Sequence, residues 1–262
     1  MTTTTQTTID HVPVTFTDRG EGPACLLLHG AGGPLPMKAF ADLLASELPA
    51  RVLVPTHPGF DATPRPESFT TGAQLASLYT SLLAHLDLRG VTVMGSSMGG
   101  WIAAEMACLD SDRVDTFVLV DGGGIDVPGH PIADVFSLTP REFAERAYHD
   151  PNRFAFDPTK LTPEAMQAMA ANRATLAVYT GSTVTGDPTL AQRLGRVRTP
   201  TLVVWGASDR LLDLEYGRAL ANAIPGARFE VLPNTGHIPQ VESPDLLLKA
   251  VRSVTAGSGA EV

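Results

Sequence analysis

The residue pattern of this 262-residue chain is that of one α/β unit: a mostly parallel central sheet flanked by helices, with a helical segment inserted between two strands. Three observations lead there. Short runs of consecutive apolar residues, suited to strands buried on both faces, recur along the chain. Segments of helical period separate them in regular alternation, as parallel strands joined by helical crossovers require. One interval, 122–198, breaks the rhythm with helical pieces and loops and no convincing strand.

In chain order, the Thr-rich first eight residues, MTTTTQTT, read as a frayed tail. VPVTFT at 12–17 is a strand, and ACLLLH at 24–29 is an apolar run for a fully buried one. RVLVP (51–55), VTVM (91–94), VDTFVLV (114–120), TLVVW (201–205) and RFEVL (228–232) repeat that pattern. Helices are expected at roughly 37–48, 71–87, 98–109, 213–223 and 243–254. The last opens on Ser243-Pro244, an N-cap followed by proline at the first helical position. Inside the insertion, Thr139-Pro140-Arg141-Glu142 and Thr162-Pro163-Glu164 are helix starts of the same kind. The last eight residues, TAGSGAEV, read as a second frayed tail. Residues 1–121 and 199–262 thus form two parts of one core around the insertion at 122–198.

Composition narrows the function classes. Hydrophobic residues at 44% and charged residues at 18% describe a globular chain. A formal charge of -9 with no Lys/Arg-rich run argues against nucleic-acid binding, which needs clustered cations against phosphate. No apolar stretch approaches the length of a membrane span, and the start lacks the basic and apolar regions of a secretory signal. Two cysteines, Cys25 and Cys108, make no disulfide framework. A cytoplasmic enzyme is expected, with a homodimer open as its assembly state.

Chemistry concentrates at strand ends. Gly95-Ser96-Ser97-Met98-Gly99 lies where the strand at 91–94 turns into the helix at 98–109. G-x-S-x-G in that context is a nucleophile elbow: a strained turn exposes the serine, and small flanking residues let strand and helix approach. His29-Gly30-Ala31-Gly32-Gly33 follows a buried strand and can present the Ala31 N–H, together with the Met98 N–H, to a developing oxyanion. His29 itself reads as a structural histidine. A serine needs a base. With the elbow the chain order runs serine, acid, histidine, which leaves His130, His149 and His237. Asp121 and Asp209 sit at strand ends and are rival acids; His237 alone of these histidines follows Asp209, in the loop after the last strand. Asp213 reads as a helix start, and Glu242-Ser243-Pro244 as the start of the last helix. No G-x-G-x-x-G opens a helix, no H-E-x-x-H occurs and the histidines lack ligand spacing, so neither cofactor nor metal is expected.

The combination HGAGG, GSSMGG, WGASD and NTGHIPQVESP resembles the α/β-hydrolase superfamily, in its small capped esterase and C–C-hydrolase branch. The resemblance implies the α/β-hydrolase fold over about 10–255, with the insertion as a cap or lid. By position Ser97 resembles the nucleophile, Asp209 the acid and His237 the base, with the Met98 and Ala31 amides as oxyanion hole. Serine at 97 departs from the aspartate of the family's epoxide hydrolases and haloalkane dehalogenases. Thr56-His57-Pro58-Gly59-Phe60 stands where the family often shows an aspartate before its P-G turn, and His57 there reads as a loop or surface residue. Ile238 follows His237, where ring-cleavage C–C hydrolases commonly carry tryptophan.

The expected activity is hydrolysis of a small carboxylic ester with an apolar acyl or alcohol part, through an acyl-enzyme. Two alternatives stand beside it: a C–C bond hydrolase of vinylogous diketones, and a ligand-binding protein of the same fold without turnover. Phe136, Phe143, Phe154, Phe156, Met166, Met169, Leu176 and Tyr179 could line an apolar pocket in the cap or simply pack it onto the core. Trp101 and Ile102 read as core.

Overall fold

Residues 2–154, 158–181 and 187–255 are described by the structure, a computed structural model. Each run expected to be extended becomes a strand, and the amino-terminal threonine run adds one more: β1 (Thr2–Ile9), β2 (Val12–Arg19), β3 (Ala24–Leu28), β4 (Arg51–Thr56), β5 (Val91–Ser96), β6 (Val114–Val120), β7 (Thr201–Gly206) and β8 (Arg228–Leu232). They form one eight-stranded sheet in the order β1-β2-β4-β3-β5-β6-β7-β8. From β4 to β8 every pairing is parallel; β1 and β2 run antiparallel at one edge.

Helices cover both faces, as a parallel sheet demands. Those of the core are α1 (Lys38–Glu47), α2 (Gly72–His85), α3 (Met98–Ala107), α8 (Leu214–Asn222), α9 (Pro239–Glu242) and α10 (Pro244–Thr255). On one face α1 and α10 pack Phe40, Leu44, Leu247 and Val251 against Leu27, Val52, Met94 and Val204. On the other, α2, α3 and α8 pack Leu82, Ile102 and Leu220 against Leu28, Val93, Leu119 and Val203. The side chains alternate between the two faces along each strand.

Between β6 and β7 lie α4 (Pro140–Ala147), α5 (Pro151–Phe154), α6 (Pro163–Thr180) and α7 (Leu190–Leu194), and no strand among the described residues. Thr139 and Glu142 close a full capping box at α4, and Thr162 caps α6 by accepting from the Ala165 N–H. Asp213 caps α8 through the Tyr216 N–H, the role expected of it.

The amino-terminal expectation is corrected. Thr2–Ile9 pair with Val12–Arg19 residue by residue, from Thr2↔Arg19 to Ile9↔Val12. Asp10 and His11 both take positive φ (48° and 68°), the two-residue turn that matches strand twist. A polar threonine run looks like a tail by hydropathy, yet the β-branched side chain favours extended backbone. Its outer edge faces solvent, so no apolar signal was needed. Of the other tail, Thr255 ends α10 and 256–262 lie outside the described residues. No helix among the described residues is long and apolar enough to cross a membrane.

Candidate active site

Strands β5, β6, β7 and β8 end side by side, and the loops leaving their carboxyl ends carry the expected residues. Ser97 sits between β5 and α3 with φ 55° and ψ -114°, a conformation costly for a residue with a Cβ. The turn is tight because its glycines allow it. A Cβ on Gly95 would come within 2.0 Å of the Gly99 carbonyl oxygen, and one on Gly99 within 2.2 Å of the Leu28 oxygen. The Ser97 N–H donates to Val120 O (2.9 Å), and Ser97 O accepts from Trp101 N (3.0 Å), so the strain is pinned on both sides.

Ser97, His237 and Asp209 form a hydrogen-bonded chain. Asp209 Oδ2 lies 2.7 Å from His237 Nδ1, and His237 Nε2 lies 2.9 Å from Ser97 Oγ. A carboxylate only accepts, so Nδ1 carries the ring proton and Nε2 is left to accept from the serine hydroxyl. Asp209 Oδ1 also accepts from the Leu211 N–H (2.8 Å) and the Leu212 N–H (3.1 Å). Asp209 and His237 are buried, while Ser97 is partly exposed. Gly30 lies against the serine: a Cβ added there would stand 3.9 Å from Ser97 Oγ. Ala31 follows directly, and Met98 opens α3, whose positive dipole end points to the same place.

His130 pairs with Asp213 (2.7 Å), and His149 Nδ1 bonds Ser208 Oγ (2.8 Å); neither reaches Ser97. Asp121 does not bond His237. Its Oδ1 accepts from the Gly206 N–H at 2.8 Å, while its Oδ2 is buried without a donor. Burial, then the neighbouring Asp209, pushes its carboxyl well above the ordinary range. One ligand-type atom each from Asp121, Asp209 and His237 lie within 4.8 Å of one another. The Asp209–His237 pair in that group is already joined by the 2.7 Å hydrogen bond.

His57 is a correction: it is fully buried, not at the surface. Its ring stacks on His29 with centroids 3.7 Å apart. His57 Nε2–H donates to His29 O (2.9 Å), and Nδ1 accepts from Tyr79 Oη (2.5 Å). In return His29 Nε2 accepts from the His57 N–H (3.0 Å), and Nδ1–H donates to Gly30 O (2.7 Å). Every ring nitrogen is satisfied, which is what permits two imidazoles in the interior. The pair braces the loop that carries Gly30 and Ala31. His29 is structural, as expected.

Glu242 ends α9 and does more than start a helix. It accepts from the N–H groups of Gly236 (2.6 Å), His149 (3.1 Å) and Asp150 (3.0 Å). The residue before His237 is thus tied to the α4–α5 junction, where the His237 N–H also donates to Ala147 O (2.7 Å). Sequence spacing carried no signal for this, because an acid before Ser-Pro is an ordinary helix start. Asn172 of α6 was likewise unforeseen. It accepts from the Asp61 N–H (2.8 Å) and donates to Asp61 Oδ1 (2.9 Å), while Tyr179 Oη donates to Pro58 O (3.0 Å).

Among the apolar residues of the insertion, Leu176 and Tyr179 are buried, and Phe136, Phe143 and Phe154 partly so. Met166 and Met169 are exposed on α6; Phe156 lies outside the described residues. Ile102 is core, and Trp101 packs partly buried against it. Cys25 and Cys108 are free thiols, and burial pushes Cys25 up to about 12.

Comparison with known proteins gives a consistent picture. A model of the alpha/beta hydrolase family matches residues 25–250. A 2-hydroxy-6-oxononadienedioate/2-hydroxy-6-oxononatrienedioate hydrolase of Cupriavidus pinatubonensis is 29% identical, the match covering 86% of this chain and 84% of that enzyme. A 2-hydroxy-6-oxo-6-phenylhexa-2,4-dienoate hydrolase of Burkholderia cepacia is 28% identical, covering 87% and 86%. Among solved structures, a meta-cleavage product hydrolase of Pseudomonas fluorescens superposes with a TM-score of 0.78 at 20% identity, covering 97% of this chain and 98% of that one. That likeness is one of fold.

Proposed function

This chain belongs to the alpha/beta hydrolase family and is a hydrolase; from that premise we propose that it is a serine hydrolase cleaving the C–C bond beside the ketone of a 2-hydroxy-6-oxo-2,4-dienoate. The observation that carries the chemistry is the Ser97–His237–Asp209 chain, with its 2.9 and 2.7 Å links. The choice of bond rests on the relatives, whose names specify such dienoates. It takes the place of the carboxylic ester favoured by the motifs alone.

Once the dienol has become the 2,6-dione, by moving a proton from its 2-hydroxyl to C5, C5 can leave as a stabilised dienolate. Ser97 Oγ attacks the C6 carbonyl while His237 Nε2 takes its proton. The oxyanion on C6 accepts from the Ala31 and Met98 N–H groups. Collapse breaks C5–C6, the electron pair enters the dienolate, and the proton on His237 neutralises it. Water, deprotonated by His237, then attacks the acyl-serine, and the carboxylic acid and free Ser97 are released. The sum is one substrate and one water giving a 2-hydroxypenta-2,4-dienoate and an acid. Asp209 fixes the tautomer that lets Nε2 accept. Residues 122–198 serve as the cap, joined to the core through Asn172 and Tyr179 and through the bonds of His149 and Asp150 to Glu242.

The test is turnover of 2-hydroxy-6-oxo-6-phenylhexa-2,4-dienoate, followed by loss of its absorbance, against a series of p-nitrophenyl esters. A kcat/KM higher for the dienone is expected; the reverse order moves the assignment to an ester. A fluorophosphonate should add to the intact protein and not to Ser97→Ala, whose kcat should fall by roughly 10⁴ or more. An adduct that survives the substitution ends the serine-hydrolase reading.

A further inference from the structure

We infer that Asp121 holds a proton on Oδ2 and donates it to the carboxylate of Asp209, so that the chain at the site has four members, Asp121–Asp209–His237–Ser97. The inference deepens the proposed function and rests on Asp209 being the acid of that site.

The case is one of counting donors. Asp209 receives three: the Leu211 N–H, the Leu212 N–H and the His237 ring N–H. Asp121 receives one, the Gly206 N–H on Oδ1, and its second oxygen is buried with none. Among the described residues neither carboxyl has a Lys or Arg partner; the ion pair of Asp209 is with His237 alone. Two carboxylates side by side in such a place cannot both be charged, since burial and like-charge repulsion act together. The donor-rich member stays ionised, and the donor-poor member takes the proton. That proton turns the orphaned Oδ2 into a donor, whose neighbouring polar group is Asp209. The titratable groups facing Asp121 are Asp209, on the loop after β7, and beyond it His237. The direction of the shift at Asp121 agrees, with burial as its first cause and Asp209 as its second.

Asp121 touches neither substrate nor the reacting atoms, so it is a positioning residue. By donating to Asp209 it would hold that carboxylate in place for His237 and moderate the negative charge presented to the ring. The sharing of one proton between adjacent carboxyls is familiar chemistry; here one member orients a histidine instead of acting on substrate. The backbone at Asp121 has φ 44°, a region that Asp and Asn tolerate better than other side chains. Asp121→Asn therefore keeps the backbone and a donor, whereas Asp121→Ala loses the donor.

The deciding measurement is infrared difference spectroscopy of wild type minus Asp121→Asn at neutral pH. The carbonyl stretch of a protonated carboxylic acid should be present in wild type, sensitive to deuterium exchange and missing from the variant. Its absence overturns the inference. This readout needs no turnover, so it stands or falls separately from fluorophosphonate labelling of Ser97. Kinetics supply the second test. Asp121→Asn should lose about three- to tenfold in kcat and Asp121→Ala on the order of a hundredfold. The acid limb of kcat/KM should move to higher pH in Asp121→Ala. If Asp121→Asn moves that limb to lower pH, a negative charge has been removed and Asp121 was ionised. A loss in Asp121→Asn as deep as in Asp209→Asn would make Asp121 the acid and also overturn the inference.

Discussion

Ser97 holds φ 55° and ψ -114° only because Gly95 and Gly99 let β5, α3 and β3 come together without side chains between them. Gly99→Ala should therefore cost several kcal/mol, since a Cβ 2.2 Å from backbone oxygen has no flexible partner to push aside. Loss of soluble folded protein, or a large drop in Tm, is the expected outcome; a Tm within a degree of wild type contradicts this account of the elbow. At this scale the sequence was most informative where residue type and chemistry coincide. The hydrogen-bonded grouping of Ser97, His237 and Asp209 was legible because few residue types at strand ends offer a hydroxyl, an imidazole and a carboxylate in that chain order. His57 reads as a surface residue because burial of the two imidazoles depends on four hydrogen bonds among His29, Gly30, His57 and Tyr79, which no local pattern reveals. Its burial has a thermodynamic signature. Desolvation lowers His29 to about 4 and His57 well below its ordinary value. Both stay neutral when folded and take up protons when unfolded below pH about 6.5. Their contribution is full above that pH and declines as pH falls below it, that of His29 being lost as pH passes through about 4. Near pH 5, calorimetric unfolding in buffers of differing ionisation enthalpy should show proton uptake that falls by about one in His57→Gln. Unchanged uptake would count against the buried neutral pair.

Elements were read more reliably than their junctions. Each of the five expected core helices lies within two residues of its expected ends, since helical period and caps are local signals, while the four-residue α9 was not foreseen. The first strand was missed because β1 pairs at an edge and needs no apolar stripe. Junctions such as α9 with the α4–α5 corner exist only in three dimensions. There Glu242 holds three backbone N–H groups at once, one of them next to His237. Glu242→Ala should leave those donors unpaired and let the histidine loop drift. Because hydrogen bonds to a charged group are the stronger kind, we expect a kcat loss of about ten- to a hundredfold. The Tm should fall by a few degrees. A variant with full kcat would show that His237 is held by its bond to Ala147 alone.

At the scale of the whole molecule, the alternation of strands and helices specified the sheet, and α4–α7 lie between β6 and β7 within the interval where that alternation breaks. What remained closed was how that segment meets the core. Several of its contacts are hydrogen bonds to main-chain atoms of Pro58, Gly59 and Asp61, which have no sequence identity to read, and its ion pair from Arg193 to Glu105 joins residues 88 apart in the chain. The bond proposed for cleavage was equally hidden, because the proposed set of one serine, one histidine and two amides would serve esters and ketones alike.

The strand order also sets a schedule. Residues 97, 209 and 237 enter the sheet at β5, after β7 and after β8, and each of those strands lies beyond the previous one toward the same edge. As the chain leaves the ribosome at about 5–20 residues per second, the strained serine turn has its framework long before His237 exists. β7 reaches its place on β6 only after the whole helical segment has been made and its long loop closed. A partly made chain thus presents a serine without a histidine and an open edge on β6, in need of protection and incapable of turnover. On the proposed function, chemistry is the last property this molecule acquires during its own synthesis.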